Sequence, residues 1–182
     1  MKGFMLEEKE KQQITASKTN PQSFEPLYVK YYEPVIKFVY KRVESFDDCK
    51  EVTSIVFTKA LTNIHKYKDY GFPFSSWLYR IAINEINQFY RDSGKMRAIS
   101  IDEKGIKNMA AETETEKQEL VAHLKQALQY LTEEELLLME FRYFEERPFA
   151  EIGEIMGITE NNAKVKTYRV LDKLRKVYTT LS

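Results

Sequence analysis

Apolar side chains recur at every third or fourth position over most of the 182-residue chain, which is the spacing of one face of an α-helix. Only six glycines and five prolines interrupt this pattern. The first amphipathic segment extends from Ser23 to Val43. Its apolar face consists of Phe24, Leu27, Tyr28, Tyr31, Tyr32, Val35, Ile36, Val39 and Val43. Pro34 predicts a break or bend within it, because proline removes a backbone donor and collides with the preceding turn.

Two more helices are predicted in the N-terminal half. Serine and aspartate are favoured N-cap residues, and their occurrence at Ser45–Asp48 predicts that a second helix begins there. Its apolar positions are Val52, Ile55, Val56, Ala60, Leu61 and Ile64. The Gly-Phe-Pro sequence within Lys66–Phe74 predicts a loop. We expect Ser75 or Ser76 to cap a third helix that ends near Asp92.

The helical pattern is lost in one internal segment. Between Ser93 and Glu119 no apolar periodicity survives and an acidic Glu-Thr-Glu-Thr-Glu run occurs, which predicts an extended linker. Periodicity returns from Leu120 to Tyr178. The sequence therefore predicts an all-α protein with an N-terminal extension (1–22) of no assignable role, a helical domain (23–92), a linker (93–119) and a second helical domain (120–182).

Composition limits the chemistry that the chain can support. The formal net charge is zero, so any affinity for nucleic acid has to come from the placement of charges rather than from their sum. The single cysteine, Cys49, excludes an internal disulfide, and with only His65 and His123 beside it no zinc cluster is expected. No glycine-rich phosphate loop, HExxH or GxSxG motif occurs. We therefore do not expect an enzyme.

No targeting or membrane segment is recognisable. The first residues carry acidic side chains and lack the apolar core of a signal peptide. The longest aliphatic run, Leu136–Met139, is far too short to span a bilayer. We therefore expect a cytoplasmic protein without membrane insertion.

The segment from Arg147 to Tyr178 has the pattern of a helix-turn-helix motif. Phe149–Met156 predicts a short helix containing Ala150 as a small residue, Gly157 permits a left-handed turn, and Thr159 is expected to cap a second helix. The inner face of that second helix is predicted to hold Ala163, Thr167, Val170, Leu174 and Val177. The outer face near the N-terminus of such a helix meets base edges in the major groove.

The outer face carries side chains that suit duplex DNA. The candidate contacts are Asn161, Asn162, Lys164, Val165, Lys166, Tyr168, Arg169 and Lys173. Lys164 and Asn161 can hydrogen-bond to base edges. Val165 and Tyr168 offer apolar contact, and the cations Lys166 and Arg169 can reach phosphates. A helical hairpin that binds nothing is the alternative.

A second candidate site lies in Phe72–Asp92, FPFSSWLYRIAINEINQFYRD, which gathers the only tryptophan, further aromatic rings and two arginines. Either these rings fill a core or they unstack and hold bases of a single strand. Helical spacing groups Trp77, Ile81 and Phe89 with the core positions Ala82 and Ile86, so Trp77 is expected to be mainly buried. The other faces are predicted to carry Tyr79, Arg80, Asn84, Asn87, Gln88 and Arg91. We expect the segment to serve both purposes.

Two blocks resemble the extracytoplasmic-function group of the sigma-70 family of RNA polymerase sigma factors. Trp77–Ala82, the run WLYRIA followed by Asn84, resembles the promoter-melting and minus-ten segments of that family. Leu131–Tyr178 resembles the domain that binds the minus-thirty-five element. The resemblance covers Phe24–Asp92 and Leu120–Tyr178. It implies a domain 2-like helical bundle and a domain 4-like helix-turn-helix domain, without a metal or an organic cofactor.

The resemblance also implies a function. It is that of a sigma factor, which binds core RNA polymerase, directs it to promoters and helps to melt the DNA. The implied partners are the clamp helices of the largest polymerase subunit, the flap of the second-largest subunit, promoter DNA and an anti-sigma factor. The linker would extend toward the polymerase active site and the RNA exit path.

The resemblance assigns roles to two further sets of residues. The implied polymerase-binding residues are Asp48, Glu51, Val52, Ser54, Ile55 and Thr58. The implied minus-ten residues are Lys68, Tyr70, Phe72, Phe74, Trp77, Arg80, Asn84, Gln88 and Arg91. The Lys66–Phe74 loop and the start of the next helix would capture a base flipped out of the duplex, Arg80 could hold a phosphate or stack on a base, and Asn84 and Gln88 could read a base edge.

Departures from the family pattern keep other functions open. Ser54 and Ile55 stand where family members usually have Gln-Glu or Gln-Asp, Gln88 stands in place of an acid, and Asp92 in place of a basic residue. One alternative is a helix-turn-helix regulator that acts without core polymerase and binds duplex DNA tightly by itself. Another is a sigma-like interaction protein that sequesters a partner.

Overall fold

A computed structural model describes residues 7–93, 124 and 126–181, and within these ranges the regular structure is entirely helical. The all-α prediction is therefore confirmed. The chain divides into two compact units, Met1–Ala98 and Ile99–Ser182. Apart from Ser93, the predicted linker lies outside the described residues. Among the described residues, no helix combines the length and the apolar character that crossing a membrane would require.

Residues 7–93 of the first unit form four α-helices and two short 3₁₀ turns. The helices are α1 (Glu8–Ser17), α2 (Glu25–Tyr40), α3 (Phe46–Asn63) and α4 (Phe74–Ser93). The 3₁₀ turns are Pro21–Phe24, which leads into α2, and Ile64–Lys66, which follows α3.

Helix α1 lies in the N-terminal extension, to which the sequence pattern assigned no role. Its apolar anchor is Ile14, which is buried. Glu10 is also buried, and its carboxylate accepts hydrogen bonds from the Tyr31 hydroxyl and the Lys30 ammonium group of α2. Burial, together with this hydrogen bond, raises the pKa of Tyr31, so the phenol remains a donor. One isoleucine and a polar cluster thus hold α1 against α2.

Helices α2 and α3 correspond to the first two predicted helices. Of the break or bend predicted at Pro34, the break does not occur, because α2 continues through Pro34 from Glu25 to Tyr40. Pro34 lies on the exposed side of the helix, where water can replace the hydrogen bond that proline removes. The predicted start of α3 is confirmed, since the Ser45 hydroxyl accepts the Asp48 amide hydrogen bond at 3.0 Å.

Helix α4 begins before either serine that was expected to cap it. It starts at Phe74, and the buried apolar side chains Phe74, Leu78, Ala82, Ile86 and Tyr90 recur at every fourth position. Trp77, Ile81 and Phe89, which were predicted to face the core, are half-buried at its edge. Tyr79, predicted on another face, is buried because its ring packs on Phe38 at 4.8 Å.

The second unit contains α5 (Glu133–Met139), which continues as a π-helical turn (Glu140–Phe144), then α6 (Phe149–Met156) and α7 (Glu160–Leu181). A capping box between Thr132 and Glu135 starts α5. Gly157 ends α6 in the left-handed conformation (φ 69°), as predicted. The Ile158 amide then donates to the Gly153 carbonyl at 2.9 Å, which closes a Schellman motif.

Helices α6 and α7 pack closely at this turn. Thr159 caps α7 as predicted, accepting the Asn162 amide hydrogen bond at 3.2 Å. The residue that permits the close approach is Gly153 rather than Ala150, since a Cβ atom at Gly153 would lie 2.8 Å from the Ile158 carbonyl oxygen. The second unit therefore has the predicted helix-turn-helix geometry.

Candidate nucleic-acid and polymerase interfaces

The buried and the exposed residues of α7 lie on opposite faces of the helix, as the sequence predicts. Ala163, Thr167, Val170 and Leu174 are buried, and Val177 is half-buried. On the opposite side, the exposed residues are Asn161, Asn162, Lys164, Val165, Tyr168 and Arg169. Because the core side is filled by other residues, this outer face is a rigid surface of amide, cationic and apolar groups.

The predicted contacts Lys166 and Lys173 have partners within the second unit. The Lys166 ammonium group pairs with Glu134, and the Lys173 ammonium group lies 2.7 Å from the Glu135 carboxylate. Partial burial alone would raise the pKa of Glu135, but the hydrogen bonds from Lys173 and from the Thr132 amide outweigh it and lower that pKa. Both lysines thus lie beside α5, and DNA would have to compete with these acids for them.

The aromatic ring of Tyr168 packs in a small group that the sequence pattern did not suggest. Its centroid lies 6.0 Å from that of Phe149 at the start of α6, with the two rings tilted by 52°. The Arg142 guanidinium lies over the Phe149 ring, 4.7 Å from its centroid. Tyr168 is 48% exposed, so this packing leaves about half of the residue accessible.

In the first unit, the loop after the second 3₁₀ turn carries exposed candidate contacts. Lys68 is exposed and Tyr70 is 63% exposed, whereas Phe72 is half-buried. The Asp69 carboxylate accepts the Gly71 amide hydrogen bond at 2.8 Å, and Gly71 has a positive φ of 81°. This tight turn holds Tyr70 outward.

Behind this loop the aromatic rings form a cluster that is partly core. Phe74, predicted as a DNA contact, is fully buried, with ring centroids 5.6 Å from Tyr31, 5.1 Å from Tyr67 and 5.4 Å from Trp77. A base cannot reach it, because these rings cover it. Trp77 is half-buried and also packs on Tyr67 at 5.3 Å. A base could therefore contact the exposed part of Trp77 but not Phe74.

Polar side chains line the accessible side of α4 beyond Trp77. Arg80, Asn84 and Gln88 follow one another at intervals of four residues, which places them in one row. The Gln88 amide group donates to Asp92 at 2.7 Å, and its oxygen accepts from Arg91. The structure thus brings these predicted contacts together, with Gln88 held by its two neighbours.

The predicted polymerase-binding residues lie on or near the exposed side of α3. Glu51, Ser54 and Thr58 are exposed, Asp48 is half-buried, and Ile55 is 37% exposed. Val52 is buried at 1% exposure, so a partner cannot touch its side chain without opening the core.

An open groove of about 670 Å³ runs along the same side of α3. Ser54, Thr58 and Leu61 of α3 form one wall, and Tyr28 and Tyr32 of α2 form the other. The Tyr28 ring packs on Phe57 at 4.8 Å, which fixes the aromatic wall. The sequence pattern placed both tyrosines on the inner face of α2 and so did not suggest this groove.

Comparison with known proteins identifies the class. The family model Sigma-70 region 2 matches residues 27–96, and Sigma-70, region 4 matches residues 127–176. RNA polymerase sigma factor YlaC of Bacillus subtilis (strain 168) is 23% identical over 160 residues, covering 85% of this chain and 91% of the relative. The ECF RNA polymerase sigma factor SigW of the same strain is 23% identical over 157 residues, covering 80% and 83%.

A solved structure shares the fold. CnrH, in complex with the cytosolic domain of CnrY, matches 93% of this chain and 96% of its own chain, with a TM-score of 0.54 and 16% identity. The helical architecture and the two matching family models together define an RNA polymerase sigma factor. The chain belongs to the sigma-70 family, in its extracytoplasmic-function group, and the family resemblance inferred from the sequence is confirmed.

Proposed function

We propose that this protein binds core RNA polymerase and directs it to specific promoters, reading a minus-thirty-five element with α7 and trapping a melted minus-ten strand with α4 and the preceding loop. In this proposal residues 23–92 bind polymerase and the minus-ten element, residues 120–182 bind the minus-thirty-five element, and residues 93–119 link them. The observation that carries it is that two separate compact units, both matched by sigma-70 models, each expose amide, aromatic and cationic side chains.

The chemistry of α7 supports direct readout of duplex DNA. Lys164 suits guanine O6 and N7, asparagine suits adenine, and Val165 and Tyr168 suit the thymine methyl group. Arg169 supplies a phosphate contact. Since Lys166 and Lys173 pair with α5 acids, few cations remain for phosphates. The free protein should therefore bind duplex DNA weakly.

The first unit supports strand capture by binding energy alone. Extruding a base costs a few kcal/mol. One aromatic ring stacked on that base returns about 1–3 kcal/mol, and amide hydrogen bonds to its edge add discrimination. Exposed Tyr70, the edge of Trp77 and the row from Arg80 to Gln88 provide these contacts. Opening can therefore begin without nucleotide hydrolysis, while the chemistry of RNA synthesis remains with the polymerase.

The groove beside α3 supports docking of the polymerase clamp helices. Its wall combines hydroxyl groups with the half-exposed ring of Tyr28, and Ile55 adds an apolar position nearby. Such a mixed surface suits an amphipathic partner helix. CnrH, which shares the fold, was solved with the cytosolic domain of CnrY, so a protein partner of the anti-sigma kind is included in the proposal.

The decisive test is co-elution with bacterial core RNA polymerase on size exclusion. Wild-type protein should co-elute, whereas Ile55→Glu should not, because a charge would be buried in the interface. Val165→Glu is the matched control, since Val165 is 38% exposed against 37% for Ile55 but lies on α7. This variant should still co-elute with polymerase. Its complex should no longer select promoter sequences from a random-sequence DNA library.

The other outcomes identify the alternatives. If wild-type protein does not co-elute but binds duplex DNA tightly by itself, the chain is a helix-turn-helix regulator that acts without polymerase. If it binds neither, it is an interaction protein of sigma-like fold.

A further inference from the structure

Helix α1 and its C-cap residue Lys18, which the sequence pattern left without a role, contact the loop that joins the second 3₁₀ turn to α4 (67–73), called here the strand-capture loop, at two points. The Lys18 ammonium group donates a hydrogen bond to the Tyr67 carbonyl oxygen at 3.0 Å, across 49 positions of the chain. The Lys11 ammonium group lies 4.0 Å from the Asp69 carboxylate. Both contacts join the α1 segment to this loop.

Two positions of the loop have partners outside it. The Tyr67 carbonyl oxygen accepts from Lys18 and the Asp69 carboxylate pairs with Lys11, while the neighbouring Lys68 and Tyr70 side chains are exposed. The Asp69 carboxylate has two partners, since one oxygen accepts from the Gly71 amide and the other pairs with Lys11. Holding the Tyr67 backbone and the Asp69 side chain restricts the directions in which Lys68 and Tyr70 can point.

Helix α1 is itself fixed to the body of the unit. Ile14 is 4% exposed, Glu10 is 5% exposed, and the Glu10 carboxylate accepts the Tyr31 hydroxyl hydrogen. The Tyr31 ring in turn packs on Phe74, the buried centre of the aromatic cluster. The loop is thus held between a helix and a ring cluster that are joined through one tyrosine.

We propose that α1 is a positioning element for strand capture and that Lys18 and Lys11 act through the loop rather than on DNA. The inference rests on the proposed function. A loop that is already held in its binding conformation loses less conformational entropy when a base stacks on Tyr70, so binding is tighter. Substitutions at Lys18 and Asp69 remove the two contacts that hold the loop.

The competing explanation is that the two lysines touch DNA phosphates directly. Charge removal separates the explanations. Asp69→Asn keeps an oxygen for the Gly71 amide but abolishes the pair with Lys11. Direct electrostatics predicts tighter DNA binding by this variant, because an anion is removed and a cation is released. Positioning predicts weaker binding.

The experiment uses the full chain assembled with core polymerase. The probe is forked DNA whose sequence comes from the random-library selection, duplex through the minus-thirty-five element and single-stranded over the minus-ten element. Lys18→Met should weaken binding to forked DNA about tenfold, and Asp69→Asn about threefold. Lys18→Arg should restore most of the affinity, and Lys9→Met, an exposed lysine of the same helix, should match the wild type.

Two further readouts exclude a general structural effect. Binding of duplex DNA that ends before the minus-ten element, and co-elution with polymerase, should not change in any variant. The slope of log affinity against log salt should stay as in the wild type, whereas loss of a phosphate contact lowers it by about one.

The outcomes are distinct. If wild-type complexes do not bind forked DNA, the proposed function fails and the inference falls with it. If the wild type binds and Lys18→Met binds equally well, or if Asp69→Asn binds more tightly, the inference alone is overturned. Equal losses for Lys18→Met and Lys9→Met would also overturn it, because they would reflect charge and not the contact with Tyr67.

Discussion

Helices α4 and α7 carry the two candidate DNA surfaces, and they divide core from surface differently. In α7 the buried and exposed residues are separate sets, with Ala163, Thr167 and Val170 inside and Lys164 and Arg169 outside. In α4 one group of aromatic residues belongs both to the core and to the candidate surface, since Phe74 is fully buried and the adjoining Trp77 is half-buried.

The difference corresponds to the two tasks that we propose. A helix that reads an intact duplex needs a rigid outer face, and an ordinary core behind it is sufficient. A surface that holds an extruded base needs apolar rings at the edge of the core, because the base must exchange stacking on its neighbours for stacking on protein. The first unit should therefore be the one in which stability and binding are hard to separate by mutation.

The largest effect is expected from Phe74→Ala. Removing a fully buried ring should lower the free energy of unfolding of the first unit by about 3–5 kcal/mol, measured by chemical denaturation. Tyr70→Ala is the control, because that ring is 63% exposed. It should change stability by less than about 0.5 kcal/mol and yet weaken binding to forked DNA. Equal destabilisation by both variants would contradict the assignment of Phe74 to the core and of Tyr70 to the binding surface.

The turn between α6 and α7 should be nearly as sensitive. Gly153→Ala would force a Cβ atom to within 2.8 Å of a backbone oxygen, and we expect a loss of about 1–3 kcal/mol from the second unit. Gly71→Ala provides the contrast, since no atom lies within 4 Å of the added Cβ but φ is 81°. Only strain of about 1 kcal/mol is expected there. A melting temperature of Gly153→Ala equal to that of the wild type would refute the close approach.

On α7, two substitutions should separate base contact from phosphate contact. Lys164→Ala should weaken binding at one promoter position by about 1–3 kcal/mol and relax the preference there. Arg169→Ala should weaken all sequences alike and reduce the salt slope by about one. Both are measured as affinity of the polymerase complex for promoter variants. If neither substitution changes promoter-dependent transcription, α7 is not the recognition helix.

The smallest effect concerns the acids of α5. Glu135→Gln keeps the capping box but removes the pair with Lys173, and it should cost the second unit about 0.5–1 kcal/mol at neutral pH. Because the pKa of Glu135 is lowered by folding, its contribution is present above the ordinary value of 4.5 and is lost as the pH falls through the lower folded value. The stability difference from the wild type should therefore shrink below pH 4.5, and a difference that grows in acid would contradict this pairing.

The outer face of α7 was predictable, because helical spacing, one glycine turn and one threonine cap all lie within a single continuous segment. The inner face of α4 was less so. Spacing grouped Trp77 with the core, whereas in the structure Tyr79 is buried and Trp77 lies at the edge of the core. Spacing within the helix cannot decide this, because the rings that pack on Tyr79 and Phe74 come from other parts of the chain, namely Phe38, Tyr31 and Tyr67.

The sequence by itself determined the helical class, the helix-turn-helix motif and the family, since each depends on residues that are near one another in the chain. Tertiary structure alone decided which rings are accessible, which lysines already have acidic partners, and where α1 packs. Helix α1 has a single buried aliphatic side chain, Ile14, so it shows no apolar periodicity. Its place depends on polar contacts with Tyr31, Tyr67 and Asp69, which only the folded chain brings within reach.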